Sequence, residues 1–155
     1  MNNYFKELII PYEGTQSFRL GAKYGDIKKL LKGEHLRFRQ IERSNRGCEV
    51  EWPWIILIVE ESISLVFVKD ILFEIVFEGM YSGKLANGAC LGISLKELET
   101  IDDSLEYNDF DEDYSSSEGY WVTDDELGNV NSITVFVKEI EESNFYKYEW
   151  LEKYL

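Results

Sequence analysis

Histidine is almost absent from this chain, and with it most chemistry that depends on an imidazole. The single one, His35, follows Gly33 in a charged stretch and reads as a solvated loop residue, so a Ser-His or Cys-His nucleophile has nothing else to build on. Cysteine is nearly as scarce. Cys48 and Cys90 are far apart, form no CxxC and have no histidine nearby, which excludes the usual zinc spacings and suits a reducing compartment, where both read as small buried apolar residues. Long apolar runs are missing too: the stretch around Ile55 to Val59 is far too short to span a bilayer. The start, Met1 to Glu7, lacks a basic segment leading into an apolar one, and Leu8-Ile9-Ile10 stops at Pro11. The expectation is a cytoplasmic protein without a membrane partner. Of the two prolines, Pro53 falls in a strand-like run and predicts an edge strand or a bulge there. Positive charge is absent from a long stretch, with no Lys or Arg between Lys96 and Lys138.

What is present is apolar, aromatic and acidic. Over 155 residues, 45% are hydrophobic and 15% aromatic, enough to bury a core and far from the composition of disordered chains. The formal net charge of −14 is carried late, because the first fifty residues hold more Lys and Arg than Asp and Glu. Such a field repels nucleic acid and anionic membrane and speeds encounters with basic partners.

The chain also resembles itself. Leu20-Gly21-Ala22-Lys23-Tyr24-Gly25-Asp26-Ile27-Lys28-Lys29-Leu30 aligns without a gap on Leu91-Gly92-Ile93-Ser94-Leu95-Lys96-Glu97-Leu98-Glu99-Thr100-Ile101, and Val66-Phe67-Val68-Lys69-Asp70-Ile71 on Val135-Phe136-Val137-Lys138-Glu139-Ile140 at nearly the same offset. Tyr24, Ile27, Leu30 and Leu31, and later Leu95, Leu98 and Ile101, recur at three and four residues, the stripe of a short amphipathic helix. Ser94 with Glu97 has the pattern of a capping box. Strands are predicted over 36–43, 50–59, 63–68 and 71–78, then over 105–110, 120–123 and 132–140, with turns at 44–47 and 128–129 and a junction over 79–88. A last helix is predicted over 144–155 with Phe145, Tyr148, Leu151 and Leu155 inward. The fold class expected is α+β, a single domain over 1–155 made of two tandem helix-plus-antiparallel-sheet halves, about 9–82 and 89–155.

Catalytic motifs fail on inspection. Gly79-Met80-Tyr81-Ser82-Gly83-Lys84 is one residue short of a phosphate loop and continues with Leu85 where Ser or Thr is required, so it reads as a turn. Asp109 to Asp113 alternates carboxylates like a calcium loop, but Tyr114 stands where glycine and Tyr120 where the closing glutamate should be. No metal, no cofactor and no catalytic residue is assigned. A carboxylate-based hydrolase and a scaffold or small-ligand binding domain using the sheet's concave face are the competing readings.

The stretch from Asp102 to Glu126 interleaves carboxylates with Tyr107, Phe110, Tyr114, Tyr120 and Trp121. As an interface, Asp109, Asp111, Glu112 and Asp113 would steer a basic partner, and Tyr107, Tyr114 and Trp121 would anchor it. As a solvated loop, the charge would serve solubility and the aromatics would turn inward. Arg37, Arg39 and Arg43 form a basic ridge in the first half, able to neutralise some acid within the molecule. Trp52 and Trp54, on one side of a strand, and Trp121, expected at the matching place in the second half, read chiefly as core.

The opening Ile9-Ile10-Pro11-Tyr12-Glu13-Gly14, then Phe18-Arg19-Leu20-Gly21 and a short helix, resembles the start of small immunity proteins found beside bacterial polymorphic and contact-dependent growth inhibition toxins. The doubled unit is similar in outline to the tandem repeat of the β-lactamase inhibitor protein and to the single unit of small outer-membrane assembly lipoproteins, across residues 9–31 and 91–140. Those relatives are exported and this opening has no signal pattern, which turns the comparison toward the cytoplasmic immunity proteins. The resemblance implies an antitoxin that binds a cognate toxin domain, often a basic nuclease, and blocks its active site stoichiometrically without chemistry of its own.

Overall fold

A computed structural model describes residues 3–44 and 46–155; Met1, Asn2 and Asn45, the last within the expected 44–47 turn, lie outside the described residues. The elements run α1 (Tyr24–Gly33), β1 (Phe38–Arg43), β2 (Trp54–Val59), β3 (Ile63–Val68), β4 (Ile71–Phe77), α2 (Leu95–Ile101), β5 (Glu106–Asn108), β6 (Asp113–Ser116), β7 (Tyr120–Asp124) and β8 (Val130–Phe136). All eight strands join one antiparallel sheet in the order β1-β2-β3-β4-β8-β7-β6-β5. Two four-stranded meanders therefore meet at β4 and β8, and β1 and β5 are the edges. The fold is α+β, with the sheet dominant.

Each helix is introduced by the same local geometry. Gly21 and Gly92 have φ of +92° and +89°, a region that glycine enters without steric cost. Gly21 N–H donates to the Leu72 carbonyl and Leu72 N–H to that of Ala22; Gly92 N–H donates to the Val130 carbonyl and Val130 N–H to that of Ile93. Tyr24 N–H likewise reaches the Asp70 carbonyl, and Leu95 N–H that of Gly128. Ser94 Oγ accepts from the Glu97 N–H at 3.1 Å, the expected N-cap of α2.

Both helices pack on one face of the sheet. There Ile27, Leu31 and Leu98 meet Leu57, Leu65, Phe67, Leu72, Ile75, Phe77, Val122, Ile133 and Val135, all buried. Each large side chain removed from water there contributes about 1.5–3 kcal/mol. On the opposite face, Ile56, Val66, Val68, Ile71 and Phe73 are covered by Phe145, Tyr148 and Leu151 of the C-terminal segment. Only the β1–β4 side of that face receives this cover.

Several expectations need correction. The C-terminal segment is a series of 3-10 turns (Lys138–Glu141, Phe145–Lys147, Glu149–Tyr154) rather than one helix, because Tyr148 adopts a left-handed conformation (φ +60°) that interrupts it; Leu155 is exposed. Pro53 lies just before β2, an interior strand, where no ladder N–H is required of it. Asp113–Ser116 forms a strand that its acidic, Ser-rich composition hides. The second sequence match pairs unlike places: Val66–Val68 ends β3, whereas Val135–Phe136 ends β8 and Lys138–Ile140 is already in a 3-10 turn. Trp121 lies in the third strand after α2 and Trp54 in the second strand after α1, so they do not correspond. Cys48 and Cys90 are half-buried rather than buried.

Among the described residues, no helix is long and apolar enough to cross a membrane.

Candidate functional site

The seven residues expected at an interface lie on or beside the β5–β6 hairpin, but they do not share one surface. Strand alternation sends Tyr107 and Tyr114 to the helix-bearing face, their rings 5.0 Å apart, with Tyr107 53% exposed. Asp113 and Trp121 point to the opposite face, where Trp121 stacks on Phe136 at 4.3 Å. Asp109, Asp111 and Glu112 are exposed at the turn between the strands. The structure thus gathers Asp111, Asp113 and Trp121 on one side and leaves the two tyrosines on the other.

The turn is held by its own side chains. Asn108 Oδ1 accepts the N–H groups of Phe110 (3.0 Å) and Asp111 (3.3 Å), and Asn108 Nδ2 donates to Asp111 at 3.1 Å. Glu112 takes a left-handed φ of +55° to close it. This geometry puts Phe110 at the tip, 93% exposed and surrounded in sequence by carboxylates. An apolar ring so placed is covered by none of the described residues.

The base of the hairpin is tied to α2 by one carboxylate. Asp102, 4% exposed, caps the helix and accepts hydrogen bonds from Ser104 N–H and Oγ, Ser116 Oγ and the Tyr120 hydroxyl. Burial alone would push its carboxyl up, but these bonds outweigh it and hold it at about 2. The same burial and the bond to Asp102 push the Tyr120 hydroxyl up. Asn87 Nδ2 donates to that hydroxyl from the loop before α2.

On the opposite face, in β4, the structure reveals a group that the sequence analysis passed over. Glu74 sits in the middle of interior strand β4, beside Val66 of β3 and Phe136 of β8. It is flanked on both sides by apolar strand neighbours and still partly reached by solvent. Burial pushes its carboxyl up to about 7; Arg43 opposes that shift and Asp113 adds to it. For Tyr146 of the C-terminal segment, burial raises the hydroxyl, and Cys48, Tyr148, Glu74 and Asp111 add to the effect. Asp113 is itself raised, by burial and then by Asp111.

A lone charge in Ile71-Leu72-Phe73-Glu74-Ile75-Val76-Phe77, a run apolar on both faces, is the sequence signal that could have found Glu74. Phe110 was legible only as one aromatic among five. The arginine ridge is largely spent within the first meander: Arg37 pairs with Glu60 at 3.2 Å and Arg39 with Glu61 at 2.6 Å, so the acid it neutralises lies in the β2–β3 turn and not in the second half. His35 is exposed in a loop with φ +55°. Among the described residues, no three His, Cys, Asp or Glu side chains stand close enough to share a metal ion. No family model, no curated protein and no solved structure matches this chain.

Proposed function

We propose that this chain is an immunity protein that binds a cognate bacterial toxin domain, a basic one of nuclease type, and inhibits it stoichiometrically without catalysis of its own. The observation that carries this reading is the β5–β6 hairpin, which holds an almost fully exposed Phe110 among Asp109, Asp111 and Glu112 on a turn stiffened by Asn108. An aromatic anchor ringed by carboxylates suits a cationic surface: the ring supplies contact area and the charges supply steering. The acidic stretch around it repels nucleic acid and so favours a protein partner that itself carries positive charge.

The same reading includes one domain built as two tandem copies of a helix-plus-meander unit, about 9–82 and 89–155. Three backbone hydrogen bonds support it: those of Gly21, Leu72 and Tyr24 recur at Gly92, Val130 and Leu95 with the same donors and acceptors in the same order.

The test is co-purification of the tagged chain from its native host through a moderate salt wash. Recovery of one basic toxin fragment in near-equal amount is expected. A retained small molecule or a turnover activity, with no protein recovered, would overturn the proposal. Replacing Asp109, Asp111, Glu112 and Asp113 by Asn or Gln should slow association with that fragment and flatten its salt dependence. A second reading, a small-ligand binding domain, is tested by native mass spectrometry of the purified chain.

A further inference from the structure

The three most exposed large apolar side chains among the described residues are Phe110 (93%), Leu127 (86%) and Met80 (74%), and the sheet brings all three to one end. Strand register fixes this. Phe110 lies on the β5–β6 turn, closed by the Asn108–Asp113 pair, and Leu127 on the β7–β8 turn, closed by Asp124 and Val130. Phe77 at the end of β4 pairs with Ile63 of β3 and Ile133 of β8. Met80, three residues on, therefore leaves the sheet at that same end, where its N–H donates to Ser62 Oγ at 3.0 Å. Along the order β4-β8-β7-β6-β5, Leu127 and Phe110 stand on neighbouring turns roughly 10 Å apart, and the line from β4 to Phe110 covers roughly 17 Å at ordinary strand spacing. The strand-to-strand connections at the opposite end, 44–53, 69–70 and 117–119, expose no large apolar side chain among the described residues. Leu127 is held in place much as Phe110 is: Asp125 Oδ1 accepts the N–H groups of Leu127 (2.9 Å) and Asn129 (3.0 Å), and the Gly128 carbonyl accepts that of Leu95. Asp109, Asp111 and Glu112 flank Phe110, and Asp124, Asp125 and Glu126 flank Leu127, with no Lys or Arg between Lys96 and Lys138 to cancel them. Beside Met80 the same end opens into a cavity of about 330 Å³, lined also by Phe38 and Ile58 between the Arg37–Glu60 and Arg39–Glu61 pairs.

We propose that this whole end of the sheet, and not the β5–β6 hairpin alone, is the docking surface for a positively charged protein, with Leu127 and Met80 as anchors beside Phe110. That the partner is a toxin domain rests on the function proposed above; the surface itself does not. Charge complementarity selects the partner. Two of the three turns carry carboxylates and no base, so a cationic surface is drawn to them, and the apolar side chains gain once it covers them. A second copy of this chain would set the same carboxylates against one another. A partner held at one hairpin tip could pivot on it, whereas three anchors in a row fix its orientation. Burying one such side chain is worth roughly tenfold in affinity.

The experiment titrates the full chain with a synthetic amphipathic peptide of lysine, leucine and alanine, following backbone amide resonances. Two control peptides carry glutamate in place of lysine, or serine in place of leucine. Expected are saturable shifts at 78–80, 109–112 and 125–129 together, with binding weakened by salt and at least about tenfold weaker for either control. Leu127→Ser should weaken binding of the lysine peptide roughly tenfold and Met80→Ser several-fold. Both side chains are exposed, so neither variant should shift Tm. No saturable binding, shifts confined to 109–112 or spread over every acidic surface, or full affinity in both variants would each overturn the extended surface. Probe binding at all three turns with no co-purified protein would keep the surface and sink the toxin partner. A toxin fragment captured equally well by Leu127→Ser and Met80→Ser, but lost with Phe110→Ser, would keep the partner and confine it to the hairpin.

Discussion

Replacing Asp102 by Asn tests whether one buried carboxylate fixes the hairpin to the rest of the fold. The substitution keeps the shape but turns an acceptor of several hydrogen bonds into a group that is half donor. The Ser116 and Tyr120 hydroxyls share one carboxylate oxygen and the Ser104 N–H and Oγ share the other, so whichever way the amide turns its N–H group faces a pair of donors, beside a Tyr120 that has no exposure. An unsatisfied buried hydroxyl costs about 1–3 kcal/mol, and the lost charge-assisted bonds act in the same direction. The ionisation gives an independent magnitude. The gap between an ordinary carboxyl at 3.8 and one at about 2 in the fold is worth about 2 kcal/mol. Because the folded value is the lower one, that contribution is fully present above the unfolded value of 3.8 and is lost as pH falls through about 2. Urea unfolding followed by Trp fluorescence should therefore show Asp102→Asn less stable by about 2–4 kcal/mol at pH 7, with the difference narrowing toward pH 2. A loss below about 0.5 kcal/mol at pH 7, within the range of ordinary surface substitutions, or a difference that stays constant down to pH 2, would refute the reasoning.

Glu74 should behave in the opposite sense. Its folded value, about 7, lies above the ordinary 4.5, so its contribution is fully present below pH 4.5 and is lost as pH rises through 7. Glu74→Gln is expected to be neutral at pH 4 and to stabilise at pH 8 by about 2 kcal/mol after allowance for partial solvent access, read as a rise in Tm. Gly83→Ala should destabilise by about 1–3 kcal/mol in denaturant titrations, since an added Cβ would lie 2.1 Å from the Glu7 carbonyl oxygen and displace the N-terminal segment. Gly25→Ala is the contrasting case: nothing lies within 4 Å of its added Cβ, and helix propensity predicts a gain of up to about 1 kcal/mol by the same measurement. Phe110→Ser should leave Tm unchanged and weaken capture of the co-purified partner; undiminished capture would remove the ring from the interface.

Local patterning in the sequence determined a good deal. The stripes of α1 and α2, the strands β3, β4 and β7, the Ser94 cap and the paired glycines before the helices are all readable, because each depends on residues within a few positions of one another. The α+β class follows from them. The acidic hairpin does not: a strand was expected over 105–110, whereas β5 ends at Asn108, and β6 is hidden by a composition of Asp, Tyr and Ser that turns share. Tertiary structure alone decided the rest. The meanders join through β4 and β8, far apart in sequence, and strand alternation at that seam sends Trp121 and Asp113 to the face opposite Tyr107 and Tyr114. The C-terminal stripe was legible, but its helix was not formed, because packing Phe145, Tyr148 and Leu151 onto the sheet goes with a left-handed turn at Tyr148. Glu74 was visible as a charge in an apolar strand; that Arg43, Asp113 and Tyr146 share its electrostatic surroundings follows only from the folded sheet. Charges so distant in sequence meet only when the chain is folded, and the low-dielectric surroundings that perturb them exist only then.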